Sequence, residues 1–444
     1  MNGPEPGYSV REQRAWYAYD WANSAFSTTV VAVLLGPYLT ALAKAGANAA
    51  GDVSLFGIPI AAGSVWPYAV SLSVLTQVFA LPLFGALADY GQRKREMLGA
   101  LAYTGASATV CLFFVDGSRW MLGCLLFLIA NFAFGASVVV YNSFLGQIAP
   151  PDRRDDISSK GWGFGYLGGG LLLALNLALF SNAENVGLSE AMAVRVSLAS
   201  AGLWWAVFTL IPLFGLRNRI PARARPDGVS PLRAALAQLA HTFSGIRNYP
   251  QTLLFLIAYL IYNDAIQTVL TMAVQFGSEE LKMSVGDLTK AVLMVQFVAF
   301  GGALAFDAAA RRVGNKRAVM AALSVWCVTL VYIYAAVHSS TEFYLAAAVI
   351  GVVMGGSQAL SRSIFSFMIP KGQEAEYFAV YEISDKGTSW LGPLFFGVAY
   401  QVTRSLRLAI ISLILFFLAG LVILARVDVR RATLEAGNTP PANA

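Results

Sequence analysis

The strongest constraint in this 444-residue chain is a succession of long apolar runs recurring from end to end. Twelve are long enough to span a bilayer, near residues 15–42, 64–88, 96–115, 119–148, 158–181, 192–215, 250–276, 288–309, 317–337, 341–369, 377–401 and 406–426. At about 1.5 Å of rise per residue, roughly 20 apolar residues cross a hydrocarbon core. Inside that core each backbone N–H and C=O must be satisfied within its own segment, so runs of this length are helices. Composition agrees, with 57% hydrophobic residues, 13% charged residues and a mean hydropathy of +0.61. Soluble domains carry roughly 25% charged residues. The expected fold class is an all-α membrane protein, its segments numbered 1–12 in chain order.

The net charge of +6 is not a nucleic-acid footprint, because the basic residues lie in short loops between apolar runs. Loops on one side hold only Lys44, Arg119, Arg195, Lys282, Arg404 and Arg407. Outside the segments, all other Lys and Arg fall at the termini, in the long connector or in the alternate loops. The positive-inside rule then places both termini in the cytoplasm and the chain in the cytoplasmic membrane as a multi-pass protein. The N-terminal stretch has no apolar core with a cleavage site, so no signal peptide is read there. Cys111, Cys124 and Cys327 all lie in apolar runs and give neither a disulfide framework nor metal spacing. No metal or cofactor is expected.

The two halves echo each other. Ile157-Ser158-Ser159-Lys160-Gly161 in segment 5 returns as Ile383-Ser384-Asp385-Lys386-Gly387 in segment 11. Tyr19-Asp20 in segment 1 returns as Asn263-Asp264 in segment 7. Gly85 to Arg95, after segment 2, has a worn copy ending at Arg317 after segment 8. Three echoes in one order imply duplicated six-helix halves, the arrangement of major facilitator transporters, with a solute site between the halves. The expected domains are a bundle over 1–215, a basic cytoplasmic linker over 216–249 with an amphipathic helix, a bundle over 250–430 and a disordered tail over 431–444.

Polar residues recur at helical spacing on segments 1, 4, 7 and 10, which line the central cavity in that superfamily. Asn23, Tyr141, Asn142, Gln267, Gln358 and Arg362 are the candidate solute-binding side chains, together with Lys386 of segment 11. An ionisable residue inside a membrane helix costs roughly 2.5–3.5 kcal/mol by insertion scales, so it faces a protein interior or a water-filled cavity. Asp264 stands near the middle of segment 7, where burial disfavours the charged form of a carboxyl, as a proton carrier requires. Asp20 is the second candidate for proton coupling. The alternatives are a permanent bridge from Asp264 to Arg362 or Lys386, and a helix-start cap for Asp20. Gly85, Asp89 and Arg93 resemble the superfamily's signature loop, with Tyr90 where a basic residue is usual. With Glu382 and Asp385, which flank Lys386, they are the candidate gating residues. Trp162 and the nearby glycines are read as helix packing.

Tyr19-Asp20-Trp21-Ala22-Asn23-Ser24-Ala25-Phe26, Tyr262-Asn263-Asp264, Ser361-Arg362-Ser363 and Lys386 through Gly392-Pro393 together resemble the vacuole-effluxer-like branch of the superfamily. That branch includes a fungal autophagy-related amino-acid effluxer and bacterial proteins. The resemblance implies export of small molecules, amino acids in the fungal case. The residues add the expectation of a monomer working in the bilayer by alternating access of two six-helix bundles, with Asp264 and Asp20 coupling transport to protons and Arg362 and Lys386 engaging a small anionic or zwitterionic solute. The readings set against it are a sodium-coupled or uncoupled facilitator and a non-transporting receptor or assembly factor. An enzyme is disfavoured, because no nucleophile–base spacing and no metal cluster is visible.

Overall fold

A computed structural model describes residues 8–440, except 50, 56, 63–64, 91–92, 118, 151–152, 220–244, 284, 375–376, 379, 382–390, 393–394, 397–398, 400–402 and 404. Ten helices among the described residues are long and apolar enough to cross a membrane. Segment 1 is Val10–Ala45, segment 3 Lys94–Phe114, segment 4 Trp120–Ile148, segment 5 Arg154–Phe180 and segment 6 Glu190–Gly215. Segment 7 is Pro250–Glu279, segment 8 Val285–Val313, segment 9 Asn315–Ala336, segment 10 Ser340–Phe367 and segment 12 Leu406–Arg426. Helix Val65–Tyr90 occupies segment 2. Of segment 11, the described residues include helical Tyr377, Phe378, Tyr381, Leu391 and Gly392.

Each half has its own apolar core. Trp16, Tyr19, Phe26, Tyr141 and Trp205 anchor the first, and Phe255, Tyr259, Tyr262, Trp326 and Phe365 the second. Tyr166 of segment 5 crosses over and belongs to the second core. The outer faces are apolar as well. Leu203, Val207, Leu210, Ile211 and Phe214 recur along one exposed face of segment 6, as a helix in hydrocarbon demands. Segment 1 leaves α geometry at Phe26 and runs as a π-helix to Leu34, a local widening that is frequent at functional sites.

The first and last described residues lie at one end of the bundles, tied there by a chain of hydrogen bonds. Gln13 donates to Ile148 O at 2.9 Å, Arg154 to Ser366 O at 2.7 Å and Asn438 to Ile369 O at 2.6 Å. Glu12 receives Arg219 at 3.0 Å, which fixes the start of the connector to segment 1.

Two features depart from the sequence reading. Residues 431–438, expected to be disordered, begin inside the helix Val429–Glu435, because Val429, Ala432 and Thr433 find a buried seat and Asp428 caps the first turn. Between segments 1 and 2, strands β1 (Asp52–Leu55) and β2 (Ile58–Ala61) form an antiparallel hairpin turning at Gly57, whose φ of 88° favours glycine. The expected amphipathic linker helix falls mostly on residues 220–244, outside the described residues.

Candidate functional site

The polar stripes of segments 1, 4 and 10 converge where the two halves meet. Asp20 and Arg362, 342 residues apart in sequence, form a buried ion pair at 3.1 Å. Tyr141 donates to the same carboxylate oxygen at 2.7 Å. The rest of the guanidinium is also engaged. Its Nε donates to Ser158 Oγ at 2.9 Å, and its Nη2 to Ser158 O at 2.8 Å. Asn142 Oδ1 lies at 3.5 Å from Nη1. Trp16 and Trp162 flank the arginine, with ring centroids at 4.8 and 5.2 Å from its central carbon. A guanidinium suits this place because it is planar, always charged and able to stack while donating in plane.

Glycine makes room for the cluster. A Cβ at Gly161 would stand 2.6 Å from Trp16, 2.8 Å from Asp20 Oδ2 and 3.0 Å from Arg362 Nη2. One turn on, a Cβ at Gly165 would stand 2.8 Å from Ser24 Oγ. Segment 5 therefore approaches segment 1 along a glycine face, as membrane helices do when backbones must come close. Other contacts hold the halves together along segment 5. Ser158 donates to Ala359 O at 2.8 Å, and Tyr166 OH to Gln358 Oε1. Arg311 of segment 8 pairs with Asp307 at 2.6 Å and lies 3.8 Å from Asp156 of segment 5.

Asp264 presents the opposite picture. It is 2% exposed on segment 7, and neither carboxylate oxygen has a hydrogen-bond partner among the described residues. The bridge to Arg362 weighed from sequence is not formed, since Asp20 holds that arginine. Gly392 of segment 11 is set tightly against this turn. A Cβ there would collide with Thr268 Oγ1 and reach 3.1 Å from Asp264 O.

The remaining sequence-predicted residues divide by position. Asn23 is buried, its Nδ2 without a partner among the described residues. Gln267 is half-buried on segment 7. Gly85 is buried near the end of segment 2, Asp89 lies in that helix's last turn, and Arg93 is exposed at the start of segment 3. Glu382, Asp385 and Lys386 lie outside the described residues. Sequence reasoning missed Trp16, Ser158 and Trp162 as members of the cluster. The signal for Ser158 was the repeated Ile-Ser-x-Lys-Gly element itself, whose first copy lies near the start of segment 5.

Residues 8–437 match the family described as Vacuole effluxer Atg22 like. An uncharacterised MFS-type transporter, YxiO of Bacillus subtilis, is 30% identical over 427 residues, covering 96% of each chain. Autophagy-related protein 22-1 of Phaeosphaeria nodorum is 25% identical, over 96% of this chain and 91% of its own. Among solved structures, the proton:xylose symporter XylE matches 97% of this chain and 98% of its own, with a TM-score of 0.71 and 12% identity. The human organic anion transporter MFSD10 matches 95% and 100%, with a TM-score of 0.68 and 15% identity. The structural likenesses carry the major facilitator fold, and the family match covers both halves with the cluster between them. This chain belongs to the vacuole effluxer Atg22-like family and is a multi-pass membrane transporter of the major facilitator type.

Proposed function

We propose that the protein is a proton-coupled secondary transporter that exports a small anionic or zwitterionic, amino-acid-like solute across the cytoplasmic membrane, with both termini in the cytoplasm. The observation that carries the reading is Asp264, a carboxyl buried at mid-helix without a counter-ion among the described residues. A buried carboxylate without a counter-ion is costly, and protonation removes the cost. Loading and release of one proton would therefore change the energy of the conformation that buries it.

The Asp20–Arg362 bridge supplies the second element. It closes the termini side by joining segment 1 to segment 10. In this reading a solute carboxylate reaching the interface competes with Asp20 for Arg362, and the halves separate there. Bidentate recognition of a carboxylate is what the guanidinium fork does well. Asn23, Tyr141, Asn142, Gln267 and Gln358 would orient the solute, and Lys386 would add a cationic contact from segment 11. Gly85, Asp89, Arg93, Glu382 and Asp385 would serve the gates.

The test is flux in proteoliposomes with an amino-acid panel. Asp264→Asn should keep solute binding within about an order of magnitude and abolish accumulation driven by a pH gradient. Accumulation against a gradient by this variant would refute the proton-carrier role. Accumulation driven by sodium at constant pH would establish the sodium-coupled reading instead.

A further inference from the structure

At the termini face, the turn between segments 8 and 9 and the end of segment 12 enclose a cleft of about 820 Å³. Arg312, Lys316, Arg317, Arg426 and Arg430 line it, and Asp428 is the one acid in the lining. That acid is committed, since its carboxylate caps the helix Val429–Glu435 by accepting Arg431 N–H at 2.9 Å. Lys316 is committed too. Its Nζ donates to Ala425 O at 2.8 Å and Val427 O at 2.7 Å, pinning the start of segment 9 to the end of segment 12. The four arginines are exposed and form no ion pair among the described residues, while neighbouring Arg311 and Arg431 do.

The first half treats the corresponding place differently. Where the loop between segments 2 and 3 meets the end of segment 6, acids answer the bases. Arg95 pairs with Glu96 at 2.8 Å, Asn218 donates to Glu96 at 2.6 Å, and Arg219 pairs with Glu12 at 3.0 Å. A positive-inside bias explains basic residues at this depth in both halves. It does not by itself explain a cleft with pinned walls whose four arginines all lack an ion pair among the described residues, when Arg95 and Arg219 at the counterpart place each have one.

The same two helices, joined by the stacked rings of Trp326 and Phe417 at 5.3 Å, turn apolar side chains outward beyond the cleft. Val325 and Val328 on segment 9, with Leu418 and Val422 on segment 12, are exposed and face hydrocarbon in a membrane. Cationic cleft at the helix ends and bare apolar surface beyond it is the polarity order of a phospholipid. We propose that this cleft binds the headgroup phosphate of an anionic glycerophospholipid from the adjoining leaflet, with its acyl chains along segments 9 and 12.

The full chain in detergent can be titrated with phosphatidylglycerol, phosphatidylcholine or inorganic phosphate while its unfolding midpoint is followed. Phosphatidylglycerol should raise the midpoint saturably. Arg317→Gln with Arg430→Gln should weaken its apparent affinity about thirtyfold, and Arg426→Gln alone about fivefold, which keeps the test alive if the double variant folds poorly. Arg11→Gln with Arg14→Gln, at the basic start of segment 1, should leave the affinity unchanged. Equal stabilisation by phosphatidylcholine, or undiminished affinity in the Arg317 and Arg426 variants, would overturn the proposal. Full stabilisation by inorganic phosphate would assign the cleft to a soluble anion and overturn the lipid.

Discussion

Asp20 and Asp264 stand at corresponding places in the two halves, in segments 1 and 7, and their surroundings are opposite. Asp20 has a cation and a phenol on one oxygen, and its cation is itself held by Ser158 and flanked by two indoles. Asp264 has no hydrogen-bond partner among the described residues and faces the tight approach of Gly392. One acid is thus held in a buried ion pair, and the other is buried without a counter-ion among the described residues. The pair resists change because it is satisfied. In the proposed mechanism the unsatisfied acid is the group that responds when a proton arrives.

The comparison breaks most sharply at Arg362. Arg362→Ala leaves Asp20 buried without its cation, and removing one partner of a buried pair costs about 3–5 kcal/mol. Asp20→Asn combined with Arg362→Gln should recover most of that loss, because no uncompensated charge remains. Thermal unfolding of the detergent-purified variants measures both. If Arg362→Ala lost under about 1 kcal/mol, water would be reaching Asp20 and the pair would not be a buried fastener.

Sequence alone came close to this contrast and stopped at pairing. Asp20, Tyr141, Asn142 and Arg362 could each be picked out, because a polar residue in an apolar helix stands out at the spacing of 3.6. Which acid takes Arg362 could not be read, since periodicity fixes a face but not how two bundles are rotated against each other. A bridge to Asp264 was one alternative, and the observed partner is Asp20. Trp16 was invisible for another reason. Aromatic residues near the end of a membrane helix normally sit at the interface, and nothing local distinguishes one that stacks on Tyr141 at 4.4 Å. The hairpin β1–β2 was missed because four-residue strands beside long apolar runs carry too little pattern to register. The same limit hid the helix Val429–Glu435, whose seat comes from distant residues such as Gln251, which accepts Asp428 N–H at 2.7 Å.

On the Asp264 side, Gly392→Ala sharpens the comparison. The new methyl group would meet Thr268 Oγ1, which cannot swing away without giving up its 2.7 Å hydrogen bond to Asp264 O. Overpacking of this kind costs about 1–3 kcal/mol. Adding Thr268→Ala should return part of the stability by removing the hydroxyl, leaving the 3.1 Å approach to Asp264 O. If Gly392→Ala proved neutral in thermal unfolding and in flux, segment 11 would not be held against this turn in solution.

The smallest expected effect belongs to Tyr141→Phe, and it separates the fastener's strength from its packing. The ring would keep its stack on Trp16, 4.4 Å between centroids, and its place 5.8 Å from the Arg362 guanidinium. Only the hydroxyl that donates to Asp20 at 2.7 Å is lost. Hydrogen bonds between membrane helices are worth about 0.6 kcal/mol on average and seldom more than about 1.7. Unfolding should therefore barely move. The population of the state open at the termini side should still rise, by about threefold to fivefold for a loss of about 0.6–1 kcal/mol. Ser159→Cys, buried beside the bridge on segment 5, can report this in a background lacking Cys111, Cys124 and Cys327. Its reaction with an impermeant thiol reagent supplied from the termini side should quicken by that factor in Tyr141→Phe and by much more in Arg362→Ala. A reaction rate unchanged in both variants would mean that the halves part at this interface without breaking the bridge, and Asp20 would then be no more a fastener than Asp264.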